Sequence, residues 1–269
     1  MRAGADLLDE AQLQRLSGTR FDRVLQLQET TSTNSVCIDA AGDGAAEGLV
    51  VVADFQSGGR GRFDRKWEAP PGKALLFSVL LRPSSSDLPP GRRHLAVSAV
   101  SLALLRGARS AAGVTLELKW PNDLMCADRK IAGVLAEAAA GDAIVVGAGL
   151  NVSWAPPGAA SLEELAAGRL VQRGDLLVET LLALDERYGN WDDIAVNYRA
   201  SCMTIGRTVT VTGTGGAPDV AGTAVDVDAD GRLGVLVAGD GGGAGALIRV
   251  AAGDVTHAAV TPGSGPGAP

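Results

Sequence analysis

Residues 118–133 read LKWPNDLMCADRKIAG. Pro121 has no N–H for a sheet ladder and ends the run before it, and Asn122 and Asp123 are turn formers. Lys130 opens the next apolar run, KIAGVLAEA (130–138), so the spacing predicts a hairpin bracketed by Lys119–Asp123 and Lys130. Such a hairpin brings Asp123 and Lys130 to the same end of a sheet. One reading is an ordinary hairpin with a surface ion pair. The other is a carboxylate that can hold a divalent cation beside a lysine that can neutralise an oxyanion, the pairing that nucleotidyl transfer needs. The chain has only four lysines, Lys66, Lys73, Lys119 and Lys130, and two of them lie in this stretch. That observation weakens the first reading without removing it.

Outward from the hairpin, TLELKW (115–120), KIAGVLAEA and AIVVGAGLNV (143–152) read as three strands in succession with short connections, which implies an antiparallel or mixed sheet. Upstream, FDRVLQLQET (21–30), GLVVVADFQ (48–56) and ALLFSVLLRP (74–83) read as strands, and residues 93–111 as the longest apolar helix. ADLLDEAQLQRL (5–16) is a short lead-in helix. Downstream, helices are predicted after Asp175 and Asp192, which read as caps. From Arg207 the pattern turns to short strands with Gly/Asp turns, RTVTVTG, VAGTAVDVD, GRLGVLVA and ALIRVAAGDVTH, as in a small β-barrel. GDGGGAGA (239–246) reads as a glycine-rich hairpin loop and PGSGPGAP (262–269) as a disordered tail. The expected division is a first domain over 1–204 with a lead-in segment over 1–20, a barrel over 205–260 and a tail over 261–269.

Composition narrows the function. The formal net charge is −7, which opposes a general nucleic-acid binder. The residues before the first expected strand are too few for a helix-turn-helix. No apolar run reads as long enough to span a bilayer, and the first residues lack the order of a signal peptide. Three scattered cysteines, Cys37, Cys126 and Cys202, fit a reducing cytosol and oppose a zinc site or disulfide framework. His94 and His257, the only histidines, are far from any triad pattern.

Against that acidic background, GGRGRFDRKW (58–67) gathers Arg60, Arg62, Arg65 and Lys66 among three glycines. Glycines allow close backbone approach, successive amides can form an anion nest, and arginines present planar cationic forks. The stretch reads as an anion-binding loop, or else as a solvated turn. It is neither a phosphate-binding P-loop nor a Rossmann fingerprint, since GAGLNV (147–152) lacks the third glycine. TSTN (31–34) reads as a helix cap whose hydroxyl and amide groups can also hold a polar ligand. The glycines of GAGLNV mark close approach of a ligand or of packed backbone.

In this order TSTN, FQSGGRGRFDRKW (55–67), KWPNDLMCADRKIAGVLAE (119–137) and GAGLNV resemble the biotin–protein ligases, in the short form without an N-terminal DNA-binding domain. The resemblance implies an α+β catalytic domain like that of class II aminoacyl-tRNA synthetases, with a mixed or antiparallel sheet, and a C-terminal SH3-like barrel. It implies an enzyme that makes biotinyl-5′-AMP from biotin and Mg-ATP, then passes biotin to one lysine of a biotin carboxyl carrier domain. Ser32, Thr33 and Asn34 match the segment at the biotin ureido end, with Gln56 beside it. Gly59, Arg60, Gly61 and Arg62 match the loop that folds over biotin and the adenylate, and Trp67 a residue packed against the adenine side. Asp123 and Lys130 match the catalytic pair, and Arg62 is expected to share the neutralising work. Gly133, Gly147 and Gly149 match backbone positions lining the pocket, and Asn151 a nucleotide contact. Asp64 stands where many members have glycine, which bears on how the loop closes. Biotin and ATP are expected as substrates with Mg2+, with no metal site built from protein residues alone. The carrier domain is the expected partner, with no nucleic acid and no membrane. A cytoplasmic monomer or homodimer is expected. The rival readings are a lipoate or octanoate ligase or transferase of the same fold, a non-catalytic biotin sensor or repressor, and a nucleotide-binding module indifferent to biotin.

Overall fold

The computed structural model describes residues 7–63, 65–214, 216–239 and 245–257. Asp64, most of the glycine-rich loop and the expected tail therefore lie outside the described residues. The chain divides into two compact units between Cys202 and Met203.

The first unit begins with α1 (Glu10–Leu16), closed by a capping box between Asp9 and Gln12. There follow β1 (Arg23–Thr30), α2 (Thr33–Gly42), β2 (Leu49–Gln56), β3 (Ala74–Leu81) and α3 (His94–Ala112). Then come β4 (Glu117–Lys119), β5 (Asp123–Cys126), β6 (Arg129–Ala138), β7 (Ile144–Asn151), and the helices α4 (Leu162–Leu165), α5 (Arg173–Arg187) and α6 (Trp191–Ser201). The seven strands form one mixed sheet in the order β1-β2-β3-β7-β6-β5-β4, with only β1 and β2 parallel. TLELKW forms β4, and the stretch expected only as the turn ahead of Lys130 holds a further strand, β5, separated from β4 by Trp120–Asn122. Pro121 breaks the ladder, and Asp123 restarts it opposite Lys119.

β3 and β7 are buried along their whole length: α2 and the Trp67 segment lie against one face, and α3 and α5 also contact these strands. On one face Cys37 and Ala41 of α2 pack on Val51, Leu80 and Val145. α3 contacts β5, β6 and β7 and packs against α5 and α6. Over Pro90–Ala112 this helix is long and apolar enough to cross a membrane, contrary to the sequence reading, but two-thirds of its most apolar window is buried within the protein, as in a core helix. Its end is set by Gly113, whose φ of 67° is the left-handed conformation a helix C-cap uses.

Two expected caps are not caps. α5 is capped by Gln172 and α6 by Asn190, without side-chain cap bonds. Asp175 and Asp192 lie in the first turns, where a carboxylate still favours the helix dipole, and their oxygens are used elsewhere. Asp175 accepts from Gln12 Nε2 at 2.8 Å, tying α1 to α5, and Asp192 accepts from Arg92 at 2.7 Å.

The second unit holds β8 (Thr208–Thr212), β9 (Val220–Val227), β10 (Leu233–Val237), β11 (Ala246–Val250) and β12 (Asp254–His257). They form an antiparallel sheet in the order β11-β10-β9-β8-β12, consistent with an SH3-like fold. The alternation of TVTVT in β8 buries Val209 and Val211 and exposes Thr208, Thr210 and Thr212.

Candidate active site

The register of the large sheet lines up one row across it. Ala53 faces Leu76, Leu76 faces Gly149, Gly149 faces Gly133 and Gly133 faces Asp123. Paired residues share a face, so Asp123 points to the side on which Gly133 and Gly149 present bare backbone. In a regular ladder Ile131 would face Met125 and Lys130 would turn to the other side. The register shifts at Leu124/Met125, so Lys130 pairs with Met125 instead. This bulge re-aims Lys130 toward Asp123. Its Nζ lies 2.7 Å from Asp123 Oδ1, with the lysine side chain 40% and the aspartate 25% exposed.

The bare strip is occupied by Trp67. A Cβ on Gly149 would overlap the indole, and one on Gly133 would sit 3.5 Å from Trp67 Cζ3 and 3.3 Å from Lys130 Nζ. Only glycine lets the ring lie on the backbone there. Lys130 Nζ stands 5.8 Å from the ring centroid, within cation–π range. Ala69, Ala74, Leu76 and Trp154 complete the apolar surround. Trp67 Nε1 is buried without a hydrogen bond.

Trp67 closes the arginine-rich stretch, which forms a small hairpin. Arg60 bridges to Lys66, Gly61 N–H donates to Arg65 O at 2.7 Å, and Trp67 N–H donates to Gly59 O at 3.0 Å. Its base is tied to the end of β1 by Gly58 N–H on Thr31 O at 2.9 Å. Arg60 leans on Ser35 Oγ (3.0 Å) and on both oxygens of Glu137. Arg62 turns the other way, its Nη1 3.4 Å from Asn122 Oδ1. Partial burial lowers the pKa of the Arg62 guanidinium, Asp123 opposes that shift, and Arg65 adds to it. Tyr198 donates to Pro121 O at 3.0 Å and holds its proton well above the usual range, through burial first and then the nearby Cys202 and Asp123.

At the start of α2, Ser32, Thr33 and Asn34 are all buried. Ser32 is the N-cap by backbone shape but makes no side-chain cap bond. Thr33 donates its N–H to Gln56 Oε1 at 2.7 Å and its hydroxyl to the same atom at 3.1 Å. The Ser78 hydroxyl lies 2.6 Å from Asn34 Oδ1 and 2.7 Å from Thr33 Oγ1. Gly147, opposite Ser78, leaves the space that Asn34 fills; a Cβ there would overlap its side chain. Asn151 ends β7 two residues beyond Gly149, its Nδ2 donating to Ala160 O at 3.1 Å and its Oδ1 buried without a partner.

Apart from Asn151, at the end of β7, the expected residues fall into three neighbouring groups. Ser32, Thr33, Asn34, Gln56 and Gly147 form one. Trp67, Gly133, Gly149, Lys130 and Asp123 form the second. Arg60 and Arg62 of the hairpin, with Gly59 and Gly61, lean toward different sides of it. Three contributors escaped the motif reading: Ser78, Asn122 and Glu137. Ser78 is the one polar residue in ALLFSVLL, a signal that was available. Asn122 donates to Val134 O at 2.7 Å and pins the turn to β6. Glu137 ends the quoted stretch 119–137, where nothing local marks its partners.

The arrangement suits anionic chemistry on a flat ligand: cations, buried amide donors and a bare floor. A model of the Biotin/lipoate A/B protein ligase family matches residues 25–151. A protein of Mycobacterium tuberculosis named biotin–[acetyl-CoA-carboxylase] ligase is 35% identical over 253 residues, 90% of this chain and 91% of that one. The Bacillus subtilis bifunctional ligase/repressor BirA is 32% identical over 173 residues, which span 60% of this chain and 52% of that protein. Among solved structures, the biotin protein ligase from Aquifex aeolicus in complex with biotin and ATP has a TM-score of 0.72 at 24% identity, covering 88% of this chain and 99% of that one. At that identity the likeness shows the fold, a class II synthetase-like mixed sheet with helices.

Proposed function

The chain belongs to the biotin/lipoate A/B protein ligase family, and we propose that it is an ATP-dependent ligase that activates biotin as biotinyl-5′-AMP and transfers it to a lysine of a biotin carboxyl carrier domain. The observation that carries this reading is the Lys130–Asp123 pair, turned by a bulge onto the face with the glycine floor.

In the first step a biotin carboxylate oxygen attacks the α-phosphorus of ATP and pyrophosphate leaves. Two anions meet, so charge neutralisation dominates the barrier. Lys130 and Arg62 are the cations we assign to that work. Asp123 holds Lys130 in place before substrate arrives. Ser32, Thr33, Asn34 and Gln56 are assigned to the ureido end of biotin, where their donors and acceptors match a polar ring. The partnerless Trp67 Nε1 and Asn151 Oδ1 are assigned to the nucleotide side, since buried polar atoms call for a partner. Among the described residues no group of three or more His, Cys, Asp or Glu is placed to hold a metal. Asp123 as a lone carboxylate fits Mg2+ brought in on substrate phosphates rather than caged by protein. When bound, the cation supplies further neutralisation of the triphosphate.

In the second step the carrier lysine amine attacks the acyl carbon, the bond to AMP breaks and the amine loses a proton. Asp123 is the carboxylate we assign to orient or accept that proton. The hairpin over 59–67 shields the mixed anhydride from water. The net charge of −7 supports a protein partner rather than nucleic acid, and three unbridged cysteines support a cytoplasmic setting.

The test is ATP–pyrophosphate exchange with and without biotin, run against a panel of free acids that includes lipoate and octanoate. Exchange that needs biotin is the expected result. Exchange driven by lipoate or octanoate instead would move the chain to the other branch of its family, and exchange indifferent to any acid would overturn the reading.

A further inference from the structure

Glu137 lies two residues beyond Leu135 on β6, on the face shared with Gly133, and its carboxylate adds a side-chain link between the hairpin and the TSTN segment to the backbone bond from Gly58 N–H to Thr31 O at the hairpin base. Arg60 Nη2 reaches both oxygens, 3.1 Å to Oε1 and 3.0 Å to Oε2. Asn34 Nδ2 donates to Oε2 at 2.6 Å. Asn34 Oδ1 meanwhile accepts from Ser78 Oγ. The amide is therefore held in one orientation, because a half-turn would set Oδ1 against the Glu137 carboxylate and lose its bond to that carboxylate. Arg60 Nη1 also contacts Ser35 Oγ, just past the TSTN segment, at 3.0 Å.

We propose that Glu137 is a latch: one carboxylate ties down the 59–67 hairpin through Arg60 and fixes the Asn34 amide, coupling the state of the lid to the shape of the pocket at Ser32–Asn34. Arg60 is then a tether and Arg62 the arginine turned toward the reacting end. Glu137 touches no reacting atom in this scheme and is a positioning residue. What the lid covers rests on the proposed biotin-ligase reading; that Glu137 holds the lid does not. The pair is 43% and 29% exposed, so its worth is modest and salt-sensitive, and the Asn34 bond adds the more sheltered part.

The hairpin carries four tryptic sites, Arg60, Arg62, Arg65 and Lys66, which gives a readout independent of catalysis. Limited trypsin digestion of the ligand-free protein compares wild type with Glu137→Gln, which keeps shape and loses charge. Cleavage within 60–66 is expected to rise roughly five-fold, the worth of a half-exposed ion pair. Equal cleavage, with both proteins melting at the same temperature, overturns the latch. In biotin-dependent exchange, Glu137→Ala is expected to raise KM for biotin roughly ten-fold and KM for ATP less than about two-fold, since it frees the Asn34 amide. Equal rises in both constants, or a loss of kcat alone, overturn the coupling to the pocket. A wild-type protein without biotin-dependent exchange defeats the proposed reaction instead, while the digestion still decides whether Glu137 holds the hairpin.

Discussion

Lys130 and Asp123 meet because β6 carries one residue more than β5 between Gly133 and Arg129. Asp123 pairs with Gly133 and Cys126 with Arg129, so three steps on one strand match four on the other. The extra residue turns Lys130 onto the Asp123 face. Lys130→Ala is expected to lower the adenylation rate by about 100-fold, the cost of removing one preorganised charge from a transition state. Thermal stability should move little, since a pair this exposed contributes about 1 kcal/mol or less. Single-turnover formation of biotinyl-AMP beside a melting curve checks both, and an unchanged rate would make the pair structural.

Gly149→Ala is expected to dislodge Trp67, because the new methyl would occupy the space of the indole. Overpacking of this kind costs about 1–3 kcal/mol unless the ring swings away. Either way, tryptophan emission should shift and KM for ATP should rise, with Gly133→Ala milder because its nearest neighbour is the flexible end of Lys130. Equal effects from the two substitutions would contradict the placement of the ring.

Ser78→Ala removes the hydroxyl that meets both Asn34 Oδ1 and Thr33 Oγ1. It leaves buried polar groups short of a partner, a loss of about 1–3 kcal/mol. Denaturant unfolding should show that loss, and KM for biotin should rise more than KM for ATP. A variant as stable as wild type with unaltered KM values would argue that Asn34 is held by Glu137 alone.

Burial pushes the Cys37 thiol up from 9.0 to about 12, with a small opposing effect from the Val51 backbone. Its contribution to stability is complete below the pKa of an unfolded cysteine. As pH rises beyond that, the unfolded chain sheds the proton while the folded one keeps it, so stability falls by up to about 1.4 kcal/mol per pH unit. Tyr188 and Tyr198 are also raised, from 10.0, so their similar losses begin at higher pH. Urea unfolding between pH 9 and about 10 should therefore show a slope that Cys37→Ala removes. An identical slope in the variant would place the titration elsewhere.

Much of this site could be read from the chain. Alternation and apolar runs mark β1, β2, β3, β6 and β7, and the turn chemistry around Pro121 is enough to bring Asp123 and Lys130 together. The bulge at Ile131 was invisible, because an extra residue in a ladder depends on the partner strand and leaves no mark in its own sequence. The caps of α5 and α6 were misplaced for a related reason: Asp175 and Asp192 have local capping chemistry, but Gln12 and Arg92 claim their oxygens across long separations. Glu137 belongs to the same class. Its partners Asn34 and Arg60 lie far from it in sequence and meet it only when β6 crosses beside α2 and the hairpin.

The glycine strip on β6 and β7 has a consequence for anyone wishing to widen what this enzyme accepts. The floor is already at its lowest: no substitution at Gly133 or Gly149 can deepen it, and every one raises it. Room for a bulkier acid or base must come from the roof, by trimming Trp67, or from the walls. Such trimming trades shielding for tolerance, and a library built on the floor positions would sample only shallower pockets.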